Sequence, residues 1–260
     1  MKTINGLETW RDDLTGAFCI EYSKGMNEAE LAIHDRAIKF AKVNGKAIAR
    51  RIADPEIFLG EDNPVSVFMA GSPGAGKTEA SIELLATLDG PDRILRIDPD
   101  ELRDEFSDYD GSNAWLFQGA ASLLVEKIHD LALRQKQTFL LDGTLSRFNV
   151  AESNVDRSLK KGRLVQILYV YQQPQSAWKF VKAREIAEGR RIRPETFVEQ
   201  FFAAREVVQQ LKVKFKQDIK IDLLLKNIDG SHRQYHANVD QIESFIPDKF
   251  TRQQVIDLAV

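Results

Sequence analysis

The octet Gly71-Ser72-Pro73-Gly74-Ala75-Gly76-Lys77-Thr78 fits the pattern G-x-x-x-x-G-K-[ST]. Glycines at those places let backbone N–H groups close around phosphate oxygens, and the start of the following helix adds its positive dipole end. Lys77 can then reach β- and γ-phosphates, while the Thr78 hydroxyl can ligate Mg2+. The octet follows the strand-like run Val65–Ala70 and opens a helix-like stretch, which is the setting this chemistry requires. These residues predict binding of a nucleoside triphosphate.

Carboxylates stand where an acceptor would have to be handled. Ile97-Asp98-Pro99-Asp100 closes a second apolar run, and strand ends in open α/β sheets are where ligands bind. Phosphoryl transfer needs a carboxylate to orient and deprotonate the attacking hydroxyl. Asp100 also suits a helix N-cap ahead of Glu101–Phe106. Leu140-Leu141-Asp142-Gly143-Thr144 closes a third run. Asp142 there resembles a Walker-B-type acid or, more simply, a turn carboxylate beside Gly143. Glu126, inside Leu123–Ile128, reads by itself as a solvated or salt-bridged helical residue. Lys179, Lys182, Arg184, Arg190, Arg191 and Arg193 form a basic stretch. It suits a mobile segment that closes over the transferred phosphoryl group, with one or two arginines engaged and the rest solvated.

The elements that must position these groups follow from short apolar runs rich in β-branched or aromatic residues. They are Val65–Gly71, Ile94–Asp98, Thr138–Asp142, Leu164–Tyr171 and Ile219–Leu225. Helix-like stretches at Thr78–Leu88, Ala114–Arg134 and Glu195–Lys216 separate most of them. This alternation predicts an α/β fold with a mostly parallel five-stranded sheet flanked by helices. Before it, Asn27–Asp54 has helical texture interrupted by Gly45, as one helix or two. Pro55 and Gly60–Pro64 mark a boundary. The expected division is an N-terminal helical segment over 1–62 and a kinase domain over 63–260. Residues 231–260 predict only a short terminal helix near Arg252–Leu258.

Composition narrows the partners. Thirty-six Lys and Arg against thirty-nine Asp and Glu give a net charge of −3, which excludes a generally basic nucleic-acid coat. The balance hides an asymmetry: Asp92–Gly111 is acidic and Arg157–Arg193 basic. Separated signs suit a cleft where phosphates meet cations on one side and carboxylates on another, although each run could equally be a solvated face. No aromatic stacking platform is interleaved with the basic run, so nucleic acid is not expected. The single Cys19 excludes an intramolecular disulfide framework. No apolar run reaches the ~18–20 residues of a membrane span, and Met1–Arg11 lacks the pattern of a secretory signal. A cytoplasmic location is expected.

Taken together, these motifs resemble the zeta toxin family of bacterial P-loop kinases over approximately Pro64–Asn227. The likeness rests on the loop Gly71–Thr78, Ile97-Asp98-Pro99-Asp100, Glu126, acid-Gly-Thr at Asp142–Thr144, and an arginine-bearing lid ending in Pro194. It implies ATP-dependent phosphorylation of the sugar 3′-hydroxyl of UDP-N-acetylglucosamine, with growth inhibition as the outcome. It further implies that Lys77 and Thr78 hold ATP and Mg2+, that Asp100 is the base, and that Arg184 and Arg191 stabilise the transferred phosphoryl group. Asp98, Glu126, Asp142, Thr144 and Arg147 would shape the acceptor site. Two departures fall on that side: Asp142 stands where Glu is usual, and Arg147 stands one place late, with Ser146 in its slot. The alternatives are a related kinase acting on another nucleotide, dinucleotide or antibiotic hydroxyl, or an ATP-binding switch module without catalysis. An epsilon-like antitoxin is the expected partner, or inhibition within the same chain by residues 1–60 with Trp10, Phe18, Tyr22 and Phe40 as anchors.

Overall fold

The computed structural model describes residues 3–4, 7–8, 25–88, 93–226, 233–247 and 249–259. Six strands form one sheet: β1 (Val65–Ala70), β2 (Leu95–Ile97), β3 (Phe139–Leu141), β4 (Leu164–Gln172), β5 (Ile219–Lys226) and β6 (Arg233–His236). Their spatial order is β2-β3-β1-β4-β5-β6. The first five run parallel, with registers such as Val67 beside Leu140 and Phe68 beside Ile167. The sixth is antiparallel, with Leu224 beside Tyr235. The expected five strands are therefore all present, and one more is added. Arg-Gln-Tyr-His carries no apolar signal because it is an exposed edge strand. Thr3–Ile4 and Leu7–Glu8 pair separately as a two-stranded antiparallel ribbon.

Alternation along β1 sends its side chains to two cores. Val67 and Met69 join Leu140, Leu168 and Val170 beneath α2 (Lys77–Thr87). Phe68 and Ala70 join Phe139, Leu141, Ile167 and Tyr169 in the larger core. That core includes the inward faces of α3 (Gln118–Arg134) and α6 (Pro194–Phe215). Helices α4 (Phe148–Leu159) and α5 (Pro174–Glu188) complete the connections, and α7 (Arg252–Ala259) closes the described chain. At the amino ends of the strands, buried Arg163 ties neighbours together. Its Nε donates to Ser66 Oγ at 2.7 Å and its terminal nitrogen to Val65 O at 2.9 Å and Gln137 O at 2.6 Å.

The N-terminal helix α1 is one unbroken element, Glu28–Ile52. Asn27 and Glu30 close its start as a reciprocal capping box, at 3.0 and 2.9 Å. Gly45 does not interrupt it. A Cβ there would lie 3.4 Å from Lys127 Cγ and 3.6 Å from Leu124 Cδ2, ordinary packing distances, so Gly45 sits on the face of α1 that packs along α3. Ala37, Ile38, Ala41, Ile48 and Ala49 belong to the larger core, and His34 Nδ1 lies 2.9 Å from Leu116 O. Residues 28–52 are thus a layer of the fold. Of the expected aromatic anchors, Phe40 packs edge-on against Phe106 with centroids 5.6 Å apart. Trp10, Phe18 and Tyr22 lie outside the described residues.

Candidate active site

Pro73–Thr78 of the octet line a cavity of about 1240 Å³ at the carboxyl ends of the parallel strands. That exceeds the ~300–1,000 Å³ that holds one drug-sized ligand, so there is room for a donor and an acceptor side by side. The loop leaves β1 and turns into α2, whose N-cap Gly76 has left-handed backbone. Gly74 has φ +71°, and a Cβ there would overlap the Ala177 carbonyl oxygen in the first turn of α5. The Lys77 ammonium donates to Gly71 O at 3.1 Å and Ser72 O at 2.8 Å. Burial pushes its pKa down to about 8, against the upward pull of Asp142 and Asp100. A cation held over a glycine cradle of this shape fits the polyphosphate of a nucleoside triphosphate. Thr78, one residue into α2, lines the same cavity.

Asp98 and Asp142 meet beneath the loop on a residue that sequence reasoning missed. Arg96, in the middle of β2, pairs with Asp98 and Glu101, and with Asp142 at 2.8 Å. Its Nε also donates to Ser81 Oγ at 3.2 Å, and that hydroxyl lies 3.1 Å from Asp142 Oδ2 and 2.8 Å from Thr78 O. This ties β2, β3 and the first turns of α2 together. Burial raises the Asp98 pKa to about 6, with Asp142 and Asp100 adding to it. Asp98 Oδ1 also accepts from the Asp100 backbone N–H at 2.8 Å.

Asp100 lines the cavity from the turn after β2. Its side chain makes no capping bond to the 3₁₀ helix Glu101–Glu105. It pairs instead with Arg103 at 2.6 Å and with Arg190 from the segment between α5 and α6. Burial works to raise its pKa, but Arg103 and Arg190 outweigh that and hold it below the ordinary carboxylate value. Arg184 and Arg191 both border the cavity. Arg184 Nε lies 3.4 Å from Glu188. The Arg191 side chain is 68% exposed and 3.7 Å from Glu185, whereas that of Arg190 is 19% exposed and reaches Asp100. Arg190, and not the Arg191 that the resemblance implies, is thus the arginine of this segment that meets Asp100.

The acceptor-side set is gathered in part. Asp98, Asp142 and Thr144 line the cavity, and Thr144 Oγ1 lies 2.9 Å from Ser146 Oγ. Glu126 is half-buried along α3 and Arg147 is the N-cap residue of α4; neither borders the cavity. A signal for Arg96 was available, since a charged residue between Leu95 and Ile97 interrupts an apolar run. Arg190 carried none that separates it from its neighbours.

No helix among the described residues is long and apolar enough to cross a membrane, and none of their His, Cys, Asp and Glu side chains group as a ready metal cluster. A search of curated proteins returns no match. Among solved structures, one from the PezAT chromosomal toxin–antitoxin system of the human pathogen Streptococcus pneumoniae is similar, with TM-score 0.58 and 14% identity over 91% of this chain and 96% of that chain. The AvrRxo1-ORF1:AvrRxo1-ORF2 complex with sulphate ions has TM-score 0.56 and 15% identity over 92% of this chain and 78% of that one. The same complex with ATP has TM-score 0.55 at 15% identity over the same shares. These likenesses show a shared fold. The sequence profile for Zeta toxin matches residues 50–240, a span that holds the phosphate loop, the Arg96 cluster and the arginine segment, and on that match this chain belongs to the zeta toxin family.

Proposed function

We propose that this chain is an ATP-dependent kinase that phosphorylates the sugar 3′-hydroxyl of UDP-N-acetylglucosamine and thereby inhibits growth. One observation carries the reading: Lys77 in its phosphate loop and the Asp100 carboxylate face one cavity that also holds the lid arginines. Family membership and a neighbour of the same fold solved with ATP support the donor. Bound there, ATP and Mg2+ supply the phosphoryl group and neutralise its charge. The chain's own residues do the rest. Gly71–Thr78 hold the polyphosphate, with Thr78 as the metal-side hydroxyl and Asp98 and Asp142 beneath it. Asp100, kept ionised by its arginines, accepts the proton of the acceptor hydroxyl. Arg184, with Arg190 or Arg191, meets the charge that spreads over the phosphoryl oxygens, where a fixed cation acts most strongly.

A second reading, a kinase for another nucleotide, dinucleotide or antibiotic hydroxyl, is favoured by Glu126 and Arg147 standing away from the cavity. Mass spectrometry of a nucleotide-sugar and nucleotide panel incubated with protein, ATP and Mg2+ separates the two. A single added phosphate on UDP-N-acetylglucosamine supports the first, and a phosphate only on another acceptor supports the second. No transfer to any hydroxyl, with ATP bound, would leave a binding switch. An antitoxin is the partner we propose, in keeping with a neighbour described as part of a toxin–antitoxin system. Inhibition within the chain narrows to the residues before α1, because α1 itself is core; Gly25 and Met26 do border the cavity.

A further inference from the structure

The phosphate loop has a second cation at its far end. Lys77 turns back to Gly71 and Ser72, where the loop opens. Lys226, the last residue of β5, donates to Gly76 O at 2.8 Å, where the loop closes into α2. Directly across the strand pair from Lys226 stands Arg233, the first residue of β6. Both side chains border the cavity. Like charges at directly opposed positions destabilise a strand pair, so this pairing needs an explanation. Glu83 on the exposed side of α2 pairs with Arg233; burial, aided by Arg233, holds the Lys226 pKa below its ordinary value against the upward pull of Glu79 and Glu83. The hydrogen bond of Lys226 goes to the loop backbone, not to either carboxylate.

We infer that Lys226 and Arg233 form a cationic subsite for the phosphate nearest the nucleoside. Resting on the proposed use of ATP, the assignment follows from the ends of the loop. The loop lysine serves the β- and γ-phosphates, and the backbone N–H groups cradle the α- and β-phosphates. The Lys226 ammonium at Gly76 lies at the opposite end of the loop from the carbonyls that the Lys77 ammonium reaches, and it is matched with the α-phosphate. The antiparallel strand β6 brings Arg233 to the same place. Two cations at the α-phosphate add affinity common to nucleoside di- and triphosphates, whereas Lys77 distinguishes between them.

Displacement of a fluorescent nucleotide by ADP and by ATP tests this in the full chain. Lys226→Met and Arg233→Gln should each weaken ADP and ATP by a similar factor, roughly tenfold for the half-buried lysine, from loss of a charge-assisted contact. Lys77→Met should weaken ATP more than ADP. Glu83→Gln, an exposed change that releases Arg233, should strengthen both ligands a few-fold. Arg233→Gln and Glu83→Gln lie at the surface and report even if Lys226→Met is unstable. Unchanged ADP and ATP binding in the Arg233 and Glu83 variants, or a loss confined to ATP, overturns the subsite. Failure of the unaltered protein to bind either nucleotide overturns the proposed use of ATP instead.

Discussion

Enclosure of Lys77 makes its charge conditional on pH. The ammonium form prevails below about 8 in the free protein, and it is the form that attracts polyphosphate. ATP affinity should therefore fall as pH rises through 8, and Lys77→Ala should abolish that slope together with most of the affinity; titration calorimetry at about pH 7 and pH 9 measures both. The Asp98 pKa is shifted in the opposite direction. Folding raises its pKa to about 6, so its stabilising contribution is complete below the ordinary value of 3.8 and is lost as pH rises through 6. Asp98→Asn, which cannot ionise, should melt at a higher temperature than the unaltered protein at about pH 7.5, with the difference shrinking toward pH 4. A gain that does not vary with pH would contradict the assignment. The loop and Asp100 were legible because their signal is local, a motif and a strand end. Arg96, Arg190 and Lys226 were not singled out, because each is one cation among thirty-six Lys and Arg and only folding sets it beside its carboxylates or the loop.

Helix α5 and the segment after it shape the cavity from above. Because α5 packs against the loop at Gly74, Gly74→Ala meets both the left-handed backbone and the Ala177 carbonyl. It should cost about 1–3 kcal/mol of stability and weaken ATP together with it; thermal melts and binding on the same sample check this. Arg190 acts on Asp100. Removing it with Arg190→Ala takes away one of the three arginines, Arg103, Arg190 and Arg184, that hold the Asp100 pKa down. The acid limb of the kcat/KM profile should move to higher pH, since the base must be ionised to work. A lower kcat with an unmoved acid limb would make Arg190 a phosphoryl contact only. Sequence pattern recovered the strands because each is a buried apolar run, and it recovered α2, α3 and α6 by their stripes. It passed over α4 and α5, whose buried residues are few (Ala151, Val155 and Ser158 in one, and small residues beside Val181 in the other). It also passed over β6, whose polar residues suit an edge.

At the scale of the whole molecule, the chain between Ile52 and Val65 runs as a loop, and α1 before it shares the core with α3. A chain beginning at Glu61 should be insoluble or unfolded, because it exposes the faces that Ala37, Ile38, Ala41 and Ile48 cover; soluble yield and circular dichroism check this. A chain beginning at Gly25 should fold, and tighter ATP binding by it would place inhibition in residues 1–24. The central position of β1 has a further consequence, for the order in which the molecule can be made. β1 is the first strand of the sheet to be synthesised, and it pairs with β3 on one side and β4 on the other. The Gly71 N–H that opens the loop donates to Thr144 O at 3.2 Å, and α5, which packs on Gly74, follows β4. A nascent chain that stops short of Ala177 carries the whole phosphate-binding sequence but lacks the α5 contact at Gly74, and the long-range strand pairings that precede it are slow to form. Synthesis itself thus delays completion of the site until α5 has begun to emerge.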